Sequence, residues 1–227
     1  MFLTANLLSK AYRTGVNQLL ALSEVSFSLD EGEIVGLSGA SGSGKSTLLN
    51  ILGGLDRPTS GTVSVNGTAL HELNDDALTL YRRQTVGFVF QASYLVPSLT
   101  VYENVMLPLL PAHLAPEEKE ARVAAALEQV NIGHRLSHLP GELSGGEQQR
   151  AAVARAVVNQ PRLILADEPT GELDAENAAR VVELLSSFAG EGRTIVIASH
   201  DPDVIAVTDR VIELENGAVV SISKKKG

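Results

Sequence analysis

A chain of 227 residues with a net charge of −9, 44% apolar residues and no cysteine is of the size that folds around one sizeable core, or a core with a small inserted lobe. Its eighteen Lys and Arg are scattered rather than gathered into a stripe, which argues against nucleic acid as a partner, and the lack of cysteine excludes disulfides and thiolate metal sites and agrees with a reducing cytoplasm. No run approaches eighteen apolar residues and Met1 to Asn6 lack the basic and apolar regions of a secretory signal, so no direct membrane insertion is expected and any membrane role comes through a partner.

Apolar runs alternate with longer helical patterns, the mark of a parallel sheet covered by helices, and the predicted fold class is α/β. Sheet strands are predicted at 34–38, 86–90, 163–166 and 194–199, rich in Ile, Val and Leu as strands covered on both faces are. The stretch 61–68 alternates apolar and polar residues around Asn66-Gly67, a strong hairpin signal, and 211–221 repeats the pattern around Asn216-Gly217. These two hairpins predict an antiparallel β region flanking the parallel core. Between Pro97 and Leu143 the β signal disappears. Ala115-Pro116-Glu117-Glu118 opens a helix with Pro in its first turn and acids at its positive end, and Val123, Ala126, Leu127 and Val130 share one face. We therefore expect a helical lobe, residues 97–158, inserted into an α/β core made of 1–96 and 159–227. The terminal Lys224-Lys225-Lys226 reads as a solvated tail without a function.

Gly39-Ala40-Ser41-Gly42-Ser43-Gly44-Lys45-Ser46 fits G-x-x-x-x-G-K-[ST], follows the predicted strand 34–38 and precedes the helical run from Thr47 to Leu52. In that context it is a phosphate-binding loop. Its glycines let the backbone curl until successive N–H groups point at phosphate oxygens, and the helix adds the positive end of its dipole. Lys45 is placed to reach the β- and γ-phosphates, and Ser46 to offer a hydroxyl to Mg²⁺.

Downstream, the apolar Leu163-Ile164-Leu165-Ala166 delivers Asp167 and Glu168 at the carboxyl end of a strand, where ligands of open α/β sheets bind. Such a pair by itself is commonly a surface turn; beside a phosphate loop it reads as catalytic. Because consecutive strand residues point opposite ways, Asp167 is expected to face Mg²⁺ through its waters. Glu168 then lies toward the γ-phosphate, where it orients or deprotonates the attacking water.

Leu143-Ser144-Gly145-Gly146-Glu147-Gln148-Gln149-Arg150 reads, on periodicity alone, as the start of a well-capped, Ala-rich helix whose Ser144 and Glu147 form an S-x-x-E capping box. The segment also resembles the signature L-S-G-G-Q of the ATP-binding cassette family. That resemblance implies a RecA-like P-loop NTPase core with a flanking antiparallel β region and an inserted helical subdomain. It also implies Mg-ATP held between two copies of the chain, with Ser144, Gly145, Gly146 and Glu147 capping the γ-phosphate bound by the opposite copy.

The resemblance extends over nearly the whole chain. Tyr12, otherwise a packing residue, is similar to the family's adenine-stacking aromatic, so that the implied nucleotide-binding set is Tyr12 with Gly39, Ala40, Ser41, Gly42, Ser43, Gly44, Lys45, Ser46 and Thr47. Gln91, by itself a loop amide, resembles the glutamine that touches Mg²⁺ and links the site to the helical lobe; it joins Ser46 and, through water, Asp167 as a metal ligand. His200 resembles the switch histidine that contacts the γ-phosphate, and Glu168, His200, Gln91 and Lys45 make up the implied catalytic set. Gly171-Glu172-Leu173-Asp174 resembles the loop that crosses the dimer interface, with Glu172 where Asn is usual.

Finer text, such as Gly87-Phe88-Val89-Phe90-Gln91 and Asp167-Glu168-Pro169-Thr170-Gly171, resembles the branch of lipoprotein-release, macrolide-export and cell-division ATPases. It implies a cytoplasmic ATPase held peripherally at the inner face of the membrane by an FtsX/MacB-like permease. With the chain stopping at Gly227, that permease is expected to be another polypeptide. Contact with it is expected at residues 91–103, where Tyr94, Leu95 and Val96 either offer an apolar grip or pack as an ordinary lobe core. A non-transport regulator that gates an extracytoplasmic enzyme fits the same motifs. A soluble cassette acting on DNA or ribosomes fits the acidic balance less well.

Overall fold

The computed structural model describes residues 1–15 and 17–224; Lys225 and Lys226 of the terminal lysine run lie outside them. The strands are β1 (Leu3–Thr14), β2 (Asn17–Leu29), β3 (Ile34–Ser38), β4 (Ser60–Val65), β5 (Thr68–Ala69), β6 (Val86–Val89), β7 (Leu163–Asp167), β8 (Thr194–Ala198), β9 (Arg210–Glu215) and β10 (Ala218–Lys224). They form two sheets, a four-stranded antiparallel one in the order β2-β1-β4-β5 and a six-stranded one in the order β10-β9-β3-β8-β7-β6. In the larger sheet every neighbouring pair is parallel except β9 with β10.

The predicted core strands are found within one or two residues of their expected ends, and their lack of polar alternation has a direct cause. Leu163 and Leu165 of β7 pack into one hydrophobic core with Val35, Leu37 and Val196, shared with the antiparallel sheet. Ile164 and Ala166 point the other way, into a second core with Ile195, Ile197 and the helices. Both faces are dry, so both sets of positions must be apolar.

Helices α1 (Lys45–Leu52), α2 (Asp75–Thr85), α3 (Val101–Met106), α4 (Pro116–Gln129), α5 (Gly145–Val157), α6 (Ala175–Gly190) and α7 (Pro202–Ala206) cover these faces. Their starts are written in the sequence: Asn74, Asp174 and Asp201 accept backbone N–H bonds as N-caps, Thr100 and Glu103 form a capping box, and Pro116 opens α4. In the region 97–158 the described elements are helices and 3-10 turns. Its buried residues Val101, Val105, Val123, Leu127 and Val130 join the same core as Ile164 and Phe188, so the helical region is seated on the sheet rather than held apart from it.

Two expectations need correction. The hairpin over 211–221 does not belong to the flanking antiparallel region; β9 pairs parallel with β3, Val35 facing Arg210, and the hairpin extends the core sheet. The antiparallel sheet is built instead around β1 and β2. Their alternation is broken where the register shifts between Ala5 and Leu8 and between Leu8 and Lys10. At these bulges Leu7 and Glu24 adopt left-handed backbone, and the Leu7 and Glu24 amides donate to the Ser26 and Ser9 hydroxyls. Leu95, expected on a partner surface, is 8% exposed and part of the core, whereas Tyr94 and Val96 are exposed.

Helix α5 lies so close to β6 that a Cβ on Gly87 would collide with the Ala156 carbonyl and press on Pro161. Backbone cannot yield as a side chain does. Gly87→Ala is expected to destabilise the fold by about 1–3 kcal/mol, read as a lower midpoint in urea unfolding with an unchanged slope.

Candidate active site

The carboxyl ends of β3, β7 and β8 open onto one cleft of about 910 Å³, lined by Tyr12, Leu19, Leu20, the loop from Ala40 to Thr47, Gln91, Asp167, Glu168, Gly171 and His200. After β3 the chain turns through Gly39 (φ 143) and Gly44 (φ 106), left-handed positions suited to glycine. Space demands it as well, since a Cβ on Gly44 would sit 2.6 Å from the Ala21 carbonyl and one on Gly39 would strike the Leu214 carbonyl. The loop feeds directly into α1 at Lys45, so its amides and the helix dipole converge on one point. Lys45 is 8% exposed, and its ammonium donates to the carbonyls of Gly39 (2.7 Å) and Ala40 (3.1 Å). The buried Ser43 hydroxyl has no hydrogen-bond partner among the described residues, a free donor inside an anion cradle.

Asp167 ends β7, but Glu168 is not a strand residue. Its backbone is left-handed (φ 46) and its amide donates to the Ala198 carbonyl at 2.9 Å. The predicted alternation of the two side chains therefore stops at Asp167, and a turn brings both carboxylates to the same cleft. Glu168 Oε1 is 2.9 Å from His200 Nδ1. An ionised carboxylate only accepts, so Nδ1 carries the proton. Burial pushes the Asp167 carboxyl above its ordinary range and the Glu168 charge adds to this; a hydrogen bond from Ser46 and the Lys45 charge oppose it. A hydroxyl and a desolvated carboxylate that gains from added positive charge suit a hard divalent cation such as Mg²⁺, which takes one or two carboxylates beside substrate phosphates.

A family model described as "ABC transporter" matches residues 22–171. The chain is 45% identical to the lipoprotein-releasing system ATP-binding protein LolD of Pseudomonas syringae pv. tomato, over 94% of each chain. It is also 45% identical to the macrolide export ATP-binding/permease protein MacB of Hyphomonas neptunium, over 96% of this chain but 34% of that one, and so spans about a third of the MacB length. The chain belongs to the ABC transporter family. Its fold agrees over 99% of both chains, with a TM-score of 0.92 and 40% identity, with the dimeric ATP-binding cassette MJ0796 bound to ADP and Pi. This ABC protein is an ATP-binding ATPase of the LolD/MacB branch, with a P-loop NTPase fold.

The residues expected at the site divide into two groups. Tyr12, the phosphate loop, Gln91, Asp167, Glu168 and His200 share the cleft, whereas Ser144, Gly145, Gly146 and Glu147 are not among its lining residues. The latter begin α5. Ser144 Oγ accepts from the Glu147 amide (3.3 Å), and Glu147 Oε2 accepts from the Ser144 amide (2.8 Å). The box leaves the amides of Gly145 and Gly146 out of its pairing. A side chain on Gly146 would collide with Asn177, whose amide donates to Asp174, the last residue of the 171–174 loop and cap of α6.

Sequence reasoning missed several residues that hold this site, because each acts on backbone far away in the chain. Gln149, 2% exposed, donates from Nε2 to the carbonyls of Phe90 (2.8 Å) and Pro169 (2.9 Å), the residues just before Gln91 and just after Glu168. Arg155 donates to the carbonyls of Ser93 and Tyr94, each at 2.6 Å. The only signal was a run of polar residues on a helix with an otherwise apolar inner face.

Glu147 stands where the family signature carries Gln, and its carboxyl is pulled down to about 2, chiefly by the Ser144 amide and also by Arg135, 2.8 Å away. A depressed carboxylate stabilises the fold fully above its unfolded value of 4.5 and loses that contribution as pH falls toward 2. Glu147→Gln retains the capping geometry without the charge. It is expected to lower stability at neutral pH and to flatten the acid limb of stability between pH 4.5 and 2, as followed by thermal unfolding across that range.

Proposed function

We propose that this chain is the nucleotide-binding engine of a transporter or mechanotransmission complex, acting as a head-to-tail dimer of two copies that binds two Mg-ATP and drives an FtsX/MacB-like permease. The observation that carries the reading is the division of the site: an open phosphate cleft on one surface, and a capped, anion-ready helix start that is not part of it. A second copy turned head to tail supplies the missing wall. The similar cassette MJ0796 is described as dimeric.

In this reading the amides of Gly39 to Thr47 and the Lys45 ammonium hold the triphosphate, and Tyr12 carries the base. Ser46, Gln91 and, through water, Asp167 hold Mg²⁺, which neutralises charge on the phosphates. Glu168 takes a proton from water as its oxygen bonds to the γ-phosphorus and the bridging β–γ P–O bond breaks, leaving ADP and phosphate. His200, bonded to Glu168, fixes that carboxylate and faces the γ-phosphate. Residues 97–158 act as the lobe that passes the stroke on, with the exposed Tyr94 and Val96 meeting the permease at the inner face of the membrane. No helix among the described residues is long and apolar enough to cross a membrane.

Glu168→Gln preserves the shape of the side chain but cannot take the proton. Turnover is expected to fall by about 10²- to 10⁴-fold while the variant accumulates as an ATP-bound dimer in light scattering after gel filtration with Mg-ATP. Wild-type turnover would remove Glu168 as the base; a monomer at saturating Mg-ATP would remove the dimer.

Ser144→Arg leaves the phosphate loop untouched and puts bulk where the partner's γ-phosphate would lie. It is expected to bind ATP as tightly as wild type in calorimetry yet hydrolyse it far more slowly with the permease present. Full activity would show that the site closes without this helix.

A further inference from the structure

Tyr12, on one wall of the cleft, is held by two residues that the nucleotide motifs do not include, Asp56 and Lys10. The Tyr12 hydroxyl donates to Asp56 Oδ2 at 2.8 Å. The other oxygen of the same carboxylate accepts from Lys10 Nζ at 2.5 Å, with Lys10 also bonded to the Arg57 carbonyl at 2.8 Å. The Lys10 ammonium sits 4.9 Å from the centre of the Tyr12 ring. Asp56 lies in the loop that leaves α1, the helix of the phosphate loop, and its carboxylate further accepts from the Arg57 amide at 2.7 Å. The tyrosine is thereby tied, through one carboxylate, to the element that grips the phosphates.

We infer that Asp56, with Lys10, is a positioning residue for the nucleobase: it fixes the Tyr12 ring at a set distance from the phosphate loop and places a cation against it. This rests on the assignment of Tyr12 as the base platform. The physical gain is twofold. At Tyr12 β1 has passed the end of its pairing with β4 and is paired with β2 alone, so the tyrosine otherwise samples several χ1 and χ2 states, and binding a base must select one of them; the hydroxyl anchor makes that selection in the free protein. The ammonium draws on the ring's negative π face and leaves it poorer in electrons, which favours stacking of an electron-rich purine. Leu19, opposite Tyr12 in the β1–β2 register, and Leu20 add apolar surface to the cleft. Base binding therefore depends on stacking, and on how well the ring is held.

The test compares ATP with inorganic tripolyphosphate, which offers the phosphates without a base. Tyr12→Phe removes only the hydroxyl, and Asp56→Ala removes the anchor. Each is expected to raise the KM for Mg-ATP about three- to tenfold, the scale of one lost hydrogen bond. Asp56→Ala should leave kcat within about twofold, because the phosphate loop and Glu168 are unchanged. The inhibition constant of Mg-tripolyphosphate against ATP hydrolysis should stay at the wild-type value in both variants. The double variant should be no worse than Asp56→Ala alone, since that substitution already removes the bond lost in Tyr12→Phe together with the hold on Lys10. Additive effects, an unaltered ATP KM in Tyr12→Phe, or tripolyphosphate inhibition weakened in step with ATP would overturn the inference. Tyr12→Ala separates it from the underlying assignment. If that variant alone weakens ATP, Tyr12 carries the base but Asp56 does not position it; if Tyr12→Ala binds ATP as wild type does, the platform assignment itself falls.

Discussion

Parallel pairing of β3 with β8, and of β8 with β7, sets Leu37 beside Ala198 and Ala198 beside Asp167. This register is the constraint on which the rest of the molecule depends. Parallel strands share a direction, so everything that follows them in the chain leaves at one edge. The phosphate loop after β3, the carboxylate turn after β7 and His200 after β8 become neighbours although they are spread over most of the sequence. The register in turn is enforced by burial on both faces, because a slip by one residue would exchange the contents of the two cores.

Helix α5 adds a second order of organisation. Its first turn presents the signature cap, its middle holds the strand-end loops through Gln149, and its last turns hold the backbone of Ser93 and Tyr94 through Arg155. Side-chain amides and guanidinium groups bonded to main-chain carbonyls are insensitive to the identity of the residues they hold. They fix loop positions while leaving the loop side chains free for chemistry. The close approach allowed by Gly87 makes these short bonds possible.

What the sequence disclosed, and what it withheld, follows from the range of the forces involved. The phosphate loop, the α5 capping box and the opening of α4 are local, each set by residues within a few positions of one another, and each was legible. The core strands were legible because burial on both faces leaves no polar residue to mislead. By contrast β1 and β2 were hidden: bulges at Leu7 and Glu24 shift the alternation from one face to the other midway. The place of the last hairpin depends on β9 lying beside β3, a pairing across some 175 positions of chain that no window reveals. The left-handed turn at Glu168 was illegible for another reason: nothing in an Asp-Glu-Pro run distinguishes a continued strand from a turn held by the Ala198 carbonyl.

The contact between Gly146 and Asn177 carries a consequence for how such a protein diversifies. Asn177 is locked to Asp174 by both its amide and its side chain, the latter at 2.8 Å, and leaves no room for any atom beyond hydrogen on Gly146. The two surface loops that begin α5 and α6 therefore form a single unit of variation. A larger residue at 146 demands a smaller one at 177, and losing the Asn177 side chain would in turn remove its bond to Asp174 Oδ2, leaving the cap on the backbone amide alone. At this contact neither loop can gain bulk unless the other gives way.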